Sequence, residues 1–130
     1  MENRIVCLDF DGVLHSYSSG WQGAGRIPDP PVPGAMEFLA NLLNLPGFEV
    51  AIFSSRSSHK DGIRAMTRWL EEHFTEYDGF SARNWQRLEA IRWPTVKPPA
   101  HMTIDDRAFA FEGTFPSMVD ITPTIRHAPM

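Results

Sequence analysis

Acidic and hydroxyl side chains directly follow three separate apolar segments of the chain. Asp9 and Asp11 follow the first segment, Ser54 follows the second, and Asp105 and Asp106 follow the third. In an open α/β sheet, ligands bind beyond the carboxyl ends of the strands, so these side chains would meet at one edge if the segments are parallel strands. The sequence therefore offers four carboxylates and a hydroxyl to one site.

Four carboxylates at one edge would repel one another, by about 4 kcal/mol per pair for charges ~4 Å apart at an effective dielectric of roughly 20. A cation relieves this repulsion, and Mg²⁺ takes one or two carboxylates while sharing its other positions with waters and phosphate oxygens. Lys97, in the loop before the third segment, adds a point charge suited to phosphate. These residue types predict a magnesium ion beside a bound phosphate group.

Each residue alone also has an ordinary structural explanation. Asp11-Gly12 is a common turn dipeptide, and Ser54 is typical of a strand end or a helix cap. Lys97 is typical of a solvated loop, and Asp105-Asp106-Arg107 is typical of the cap of a following turn. The joint order of these residues, rather than any one of them, favours a functional site.

Other kinds of site are excluded by motifs that the sequence lacks. In an EF-hand calcium loop, Val13 would occupy the third ligand position and Gly12 would come too early. Gly23-Ala24-Gly25 lacks the third glycine of a nucleotide-binding loop, and no Walker, Gly-x-Ser-x-Gly or His-Glu-x-x-His signature occurs. The chain is therefore not expected to be a P-loop NTPase, a serine hydrolase or a zinc protease.

The elements that would position the site alternate between strand and helix. Residues 84–93 favour a short helical turn that continues into a strand, and Phe109 and Phe111 alternate as in an edge strand. Residues 12–33 are rich in Gly and Pro and predict a long loop, a kind of segment that is usually functional. Apolar runs predict strands at 4–8, 48–53 and 102–104, and apolar stripes predict helices after Pro33 and through Ile63, Met66, Leu70 and Phe74.

In the order of these motifs, the chain resembles the haloacid dehalogenase (HAD) superfamily of phosphohydrolases. That family has an apolar strand ending in Asp-x-Asp-Gly, a strand ending in Ser or Thr, a Lys, and a strand ending in an acidic pair. The resemblance covers residues 4 to about 111 and is greatest to small bacterial and phage HAD-like proteins, although Val13 stands where many family phosphatases carry Thr. Here the motifs read Ile5-Val6-Cys7-Leu8-Asp9-Phe10-Asp11-Gly12, Val50-Ala51-Ile52-Phe53-Ser54, Lys97 and Thr103-Ile104-Asp105-Asp106.

The resemblance implies an α/β fold, a three-layer Rossmann-like sandwich with a mostly parallel central sheet. Residues 1–130 would form one domain, with 12–33 as a flap loop and 117–130 as a C-terminal tail. Neither interval between motifs can hold the ~50 residues of an independently folded cap, so the mouth of the site would be open.

The resemblance also implies a Mg²⁺-dependent phosphomonoester hydrolase. Asp9 would be the nucleophile that forms an aspartyl-phosphate, and Asp11 would act as general acid and then as general base. Ser54 would hydrogen-bond a phosphoryl oxygen, with Ser55 as the alternative for a one-residue shift at the strand end, and Lys97 would bind the phosphoryl group.

The implied metal site consists of Asp9, Asp105 and the main-chain carbonyl of Asp11, with Asp106 binding the ion directly or through its ligands. His15, Tyr17 and Trp21 lie in the predicted flap, where the family contacts substrate; the alternative is that they are solvent-facing loop residues.

Arg56 would bind a second anionic group of the substrate or pair with a surface acid. The expected partner is a phosphorylated small molecule or a macromolecular phosphate end. Trp21 is expected to influence which substrates the site prefers.

Three other functional classes are alternatives to this hypothesis. A response-regulator receiver is excluded because its phospho-accepting Asp would follow the second strand, where this chain has Ser54. A non-catalytic or phosphate-binding HAD-like module and a phosphatase specific for nucleic-acid ends both remain open.

Composition is typical of one globular domain, with 42% hydrophobic and 22% charged residues among 130. The formal net charge is −4, and the basic residues are scattered, so no nucleic-acid patch is evident. Cys7 is the single cysteine, and the N-terminal apolar run is too short for a signal peptide or a membrane span. These features predict a cytoplasmic protein with no membrane partner and leave its oligomeric state open.

Overall fold

The structure is a computed structural model that describes residues 3–108 and 110–122. Within these residues the chain alternates between strands and helices, which confirms the α/β class. The strands are β1 (Arg4–Leu8), β2 (Phe48–Ile52) and β3 (Met102–Ile104). The helices are α1 (Ala35–Leu43), α2 (Gly62–Asp78), α3 (Ala82–Glu89) and α4 (Met118–Ile121), and a 3₁₀ turn occupies Ser55–Ser58.

The three strands form a parallel sheet in the order β2-β1-β3, with Val6 opposite both Val50 and Met102. Because the strands are parallel, their carboxyl ends lie at the same edge, as the sequence predicts. Arg92 extends the sheet beyond β2 by a single parallel bridge to Ala51. The strand predicted within 84–93 is therefore reduced to one bridging residue, and the helical turn before it is a full helix, α3.

One face of the sheet forms the hydrophobic core. Val6 and Leu8 of β1 pack with Val50 and Ile52 of β2, because side chains two residues apart point to the same face. Each fully buried aliphatic side chain of this kind stabilises the fold by about 1.5–3 kcal/mol. The helical side of the core is supplied by α1 and α2 through Ala35, Met36, Leu39, Ala40, Leu42, Met66, Trp69, Leu70 and Phe74.

α1 and α2 supply a helical layer on one face of the sheet, since their buried residues belong to the same core cluster as Val6, Leu8, Val50 and Ile52. Cys7 and Ala51 point to the opposite face and are buried without belonging to that cluster. A second helical layer on that face, which the three-layer sandwich requires, stays a prediction.

The remaining predictions concern the last quarter of the chain. Phe111 is exposed and lies outside any strand, and Phe109, the other residue of the predicted edge strand, falls outside the described residues. In the tail predicted from residue 117, α4 is a short helix that sequence pattern did not indicate, and 123–130 fall outside the described residues. In the described part of the chain, no helix combines the length and apolar character needed to cross a bilayer.

Candidate functional site

Three carboxylates converge at the carboxyl edge of the sheet. Asp9 follows β1, and its N–H donates a 2.9 Å hydrogen bond to the carbonyl of Ile104 at the end of β3. Asp105 and Asp106 come next, and one carboxylate oxygen from each of these three acids lies within 4.8 Å of the other two. The pairing of β1 with β3 therefore produces the cluster.

Gly12 makes room for this approach. Its φ of +85° lies in the left-handed region that favours glycine, and a Cβ at this position would overlap the carboxylate of Asp106. The glycine of the Asp-x-Asp-Gly motif thus lets the chain turn beside the acidic cluster.

Asp9 is the most electrostatically perturbed acid of the cluster. Burial disfavours its charged form and raises its pKa from 3.8 to about 6, and the nearby charges of Asp105, Asp106 and Asp11 act in the same direction. A hydrogen bond from the Phe10 N–H to Asp9 Oδ1, 2.9 Å long, partly opposes this rise. A bound cation would offset the repulsion and favour the ionised carboxylate.

The donor set of the cluster fits Mg²⁺. All three side chains offer hard oxygen ligands, and one or two carboxylates suffice for Mg²⁺ when phosphate and water complete its shell. The side chain of Asp11 is not part of the cluster, so only its main-chain carbonyl is left for the ligand role predicted for it. Asp105 has a structural role as well, since its Oδ1 accepts a 2.8 Å hydrogen bond from the Arg107 N–H.

The acids open onto a cleft with two lobes that share Asp9, Ser54, Ser55 and Asp105. The first, which we call the acidic lobe, has a volume of about 220 Å³ and is also lined by Asp11, Tyr17, Asp106 and Arg107. The second, the lysine lobe, has a volume of about 190 Å³ and is also lined by Cys7, Phe53, Lys97 and Thr103. Asp9 and Asp105 therefore line both the lobe that contains Asp106 and the lobe that contains Lys97.

Ser54 is held at the junction of the lobes by the 3₁₀ turn that follows it. Its Oγ accepts a 3.1 Å hydrogen bond from the Arg56 N–H, and its own N–H donates to Ser57 Oγ at 3.0 Å. Among the described residues no acceptor takes the Ser54 O–H, which leaves that proton for a ligand. Ser55 is exposed and lines both lobes, so the structure brings both candidate serines to the cleft.

Lys97 is an exposed residue of the lysine lobe. Burial raises the pKa of the neighbouring Cys7 thiol, and the positive charge of Lys97 opposes that rise. The Cys7 thiol therefore loses its proton less readily than an exposed cysteine does. Lys97 lines this lobe together with the carboxyl groups of Asp9 and Asp105.

Asp11 is held from two directions. Arg56 Nε donates to both of its oxygens, at 3.2 and 2.9 Å. His15 Nδ1 lies 2.9 Å from Oδ1, while His15 Nε2 accepts from the Asp29 N–H at 3.1 Å. Because Nε2 is an acceptor, the ring hydrogen lies on Nδ1, and His15 donates to Asp11.

Arg56, His15 and Trp21, the predicted substrate contacts, do not line either lobe of the cleft. Arg56 and His15 are both fully buried, at 0% exposure. Arg56 Nε and Nη1 and both ring nitrogens of His15 bind Asp11 or the 12–33 loop, whereas Arg56 Nη2 has no hydrogen-bond partner among the described residues. Trp21 is exposed and lines neither lobe. The Arg56 guanidinium carbon lies over its indole ring, 4.8 Å from the centroid of that ring. Among Ser55, Arg56, His15 and Trp21, Ser55 alone lines the cleft, whereas Tyr17 of the predicted flap lines the acidic lobe.

The predicted flap is tied to the core. The Ser19 N–H donates to Asp29 Oδ2 at 2.7 Å, and Trp69 Nε1 of α2 donates to the Asp29 carbonyl at 3.0 Å. Hydrogen bonds from Ser19 lower the pKa of the Asp29 carboxyl. Trp69, a core residue of α2, therefore also fixes the loop.

Three further residues line the cleft: Tyr17, which the sequence places in the predicted flap, and Thr103 and Arg107, which no sequence argument singled out. Tyr17 is the residue of the 12–33 loop that lines the acidic lobe. Its φ of +61° is left-handed, which is true of no other non-glycine residue among those described. Arg107 directly follows the acidic pair, in the turn after β3. Thr103 lies in β3, two residues before Asp105. For Arg107 and Thr103, adjacency to the motifs was the available signal.

A scan against protein-family models matches no family, and a search of curated proteins finds no similar sequence. The function must therefore be inferred from the site itself.

Proposed function

We propose that this protein is a Mg²⁺-dependent phosphomonoester hydrolase that acts through an aspartyl-phosphate on Asp9. The observation that carries the proposal is the position of Asp9, which belongs to the carboxylate cluster with Asp105 and Asp106 and also lines the lobe that contains Lys97. A nucleophilic carboxylate needs cationic partners on the phosphate that it attacks, and here Lys97 and a cation held by the cluster would supply them.

In the first half-reaction, an oxygen of Asp9 attacks phosphorus and the bond from phosphorus to the leaving oxygen breaks. Ser54 donates its free O–H to a phosphoryl oxygen, and Lys97 binds the same group as a point charge. Asp11 gives a proton to the leaving oxygen, which departs as an alcohol. The product is a phosphorylated Asp9.

In the second half-reaction, water attacks phosphorus and the bond to Asp9 breaks. Asp11 takes the proton of the water, so that inorganic phosphate leaves and both aspartates return to their starting states. Mg²⁺, held by Asp9, Asp105, the carbonyl of Asp11 and Asp106, would supply charge neutralisation for the phosphoryl group.

The proposal includes membership of the HAD superfamily. It is supported by the parallel sheet, in which the Asp-x-Asp-Gly strand lies between the serine strand and the acidic-pair strand. It extends to a Rossmann-like, capless architecture and to a substrate that is a small phosphomonoester or a macromolecular phosphate end.

A test of the proposal is steady-state hydrolysis of an aryl phosphate by the full chain, with and without Mg²⁺. We expect hydrolysis that requires Mg²⁺ and is abolished in Asp9→Asn. Asp61→Asn is the matched control, because Asp61 is exposed and its side chain makes no capping hydrogen bond. Phosphate binding without turnover would contradict the proposal and favour a phosphate-binding module, as would undiminished turnover by Asp9→Asn.

A further inference from the structure

Arg56 connects two parts of the molecule that are distant in sequence. Through Nε it binds the carboxylate of Asp11. Through Nη1 it donates to three carbonyls of the loop, those of Gly23 at 2.9 Å, Ala24 at 3.0 Å and Arg26 at 3.1 Å. The side chain is fully buried, so these contacts form inside the protein rather than on its surface.

A buried arginine destabilises a fold unless its donors are matched by acceptors, and an apolar side chain of similar volume often stabilises a fold as well or better. At Arg56, Nε and Nη1 have acceptors and Nη2 has none among the described residues, so the presence of this arginine calls for a reason beyond packing. The planar guanidinium directs Nε and Nη1 along different, fixed directions, and a lysine ammonium could not reach Asp11 and the loop carbonyls together. The contacts of Arg56 therefore depend on a planar group that donates hydrogen bonds in several fixed directions, which lysine lacks.

The backbone around Arg56 is also specified. A Cβ at Gly62, the first residue of α2, would overlap the carbonyl of Arg56. The Arg56 N–H donates a hydrogen bond to Oγ of Ser54, and Ser54 lines both lobes of the cleft. Arg56 is thus anchored by its main chain to the serine of the site and by its side chain to the acid of the site.

We propose that Arg56 is a positioning residue for Asp11, which it holds at the acidic lobe in an orientation set by the closed 12–33 loop. The inference rests on the proposed function, because it concerns the residue that transfers protons in that reaction. His15 shares the task, since it donates to the same carboxylate and accepts from Asp29 of the loop. Arg56 itself touches no substrate.

Positioning of a proton donor has a specific kinetic signature. A substrate with a poor leaving group, such as an alkyl phosphate, needs protonation of the leaving oxygen, whereas a dinitrophenyl phosphate does not. Loss of an aligned acid should lower turnover of the first by about 10²–10⁴-fold. Attack by Asp9 on the second should fall by less than roughly tenfold, because the nucleophile and its cations are untouched.

The experiment measures the first turnover, with enzyme in excess over substrate, for Arg56→Lys, Arg56→Gln and the wild type on both substrates at saturating Mg²⁺. The first turnover reports formation of the aspartyl-phosphate and is independent of its later hydrolysis, which both substrates share. We expect the large loss on the alkyl phosphate and the small loss on the dinitrophenyl phosphate, with the change mainly in the maximal first-turnover rate rather than in the enzyme concentration that half-saturates it. Arg56→Lys retains charge and length and serves if Arg56→Gln does not fold. Arg64→Lys is the control, because Arg64 is an exposed residue of α2.

A double-mutant cycle tests whether Arg56 acts through Asp11. If it does, Arg56→Lys combined with Asp11→Asn should be no slower on the alkyl phosphate than Asp11→Asn alone. Equal losses on both substrates, or losses that multiply in the double variant, would overturn the positioning role while leaving the phosphatase proposal intact. An inactive wild type would instead contradict the proposed function.

Discussion

At the residue scale, the charge of Asp9 opposes folding. Its pKa is raised to about 6 by burial and by neighbouring acids, so the folded protein holds this proton more tightly than the unfolded chain does. The stability gained by holding the proton is complete below about pH 4 and is lost as the pH rises through about 6. Near neutral pH, the metal-free site is therefore a local source of instability.

Asp9→Asn should consequently stabilise the metal-free protein. In EDTA at pH 7 we expect its free energy of unfolding to exceed that of the wild type by about 1 kcal/mol, a value reduced from the full shift because the carboxyl is only half buried. The difference should vanish near pH 4 and shrink when Mg²⁺ is added. Thermal unfolding at the two pH values measures it, and a variant less stable than the wild type at pH 7 would show that Asp9 is not electrostatically strained.

The acids and serine of the site could be placed from sequence because each follows an apolar run of strand length. The role of Arg56 could not be predicted from the sequence. Its side-chain partners lie 30 to 45 residues away in sequence, so no local pattern distinguishes this buried arginine from a surface one. The same holds for His15, whose burial depends on Asp29 and on an aromatic neighbour, Trp69 of α2.

At the element scale, the junction between the 3₁₀ turn and α2 determines where Ser54 and Arg56 lie. Gly62 begins α2 directly against the Arg56 carbonyl, and its requirement for glycine is steric rather than conformational. Because the obstacle is main chain, a side chain at this position would force the turn and the helix apart.

Gly62→Ala should therefore destabilise the protein by about 1–3 kcal/mol, the usual cost of overpacking, and should lower phosphatase activity by displacing Ser54. Gly25→Ala is the matched control. A Cβ there would meet the Asp61 side chain at 3.5 Å, an ordinary van der Waals contact. Chemical denaturation of both variants tests this explanation, which fails if the two are equally stable.

Strands and helices with uninterrupted apolar patterns were the predictable elements. The runs at 4–8 and 102–104 match β1 and β3, and the stripe through Ile63 and Phe74 lies within α2. The number of layers was not predictable, because a run that is apolar on both faces indicates burial without saying what covers each face. In β1, Cys7 is buried although it does not belong to the main core cluster.

At the scale of the whole molecule, the cleft and the net charge bear on substrate choice. The chain carries a net charge of −4, and the described cleft offers Lys97 and Arg107 as its cations. Long-range attraction of a polyanion would therefore be weak. A small phosphomonoester is favoured over a long nucleic acid.

We expect the protein to hydrolyse several small phosphomonoesters with kcat/KM values well below the diffusional ceiling of about 10⁸ M⁻¹s⁻¹. A panel of phosphorylated metabolites, nucleotides and end-phosphorylated oligonucleotides, assayed with Mg²⁺, measures this. A strong preference for the oligonucleotides that falls steeply with salt would contradict it and favour a phosphatase for nucleic-acid ends.

The central claim, that Asp9 becomes phosphorylated, is tested most directly by trapping the intermediate. Borohydride reduces an aspartyl-phosphate to homoserine, which peptide mass spectrometry locates in the chain. With an activated aryl phosphate and Mg²⁺, we predict homoserine at position 9 in the wild type, with more of it in Asp11→Asn, where hydrolysis of the intermediate is slowed. Homoserine at another aspartate, or turnover without any trapped residue in either protein, would contradict the phosphorylation of Asp9.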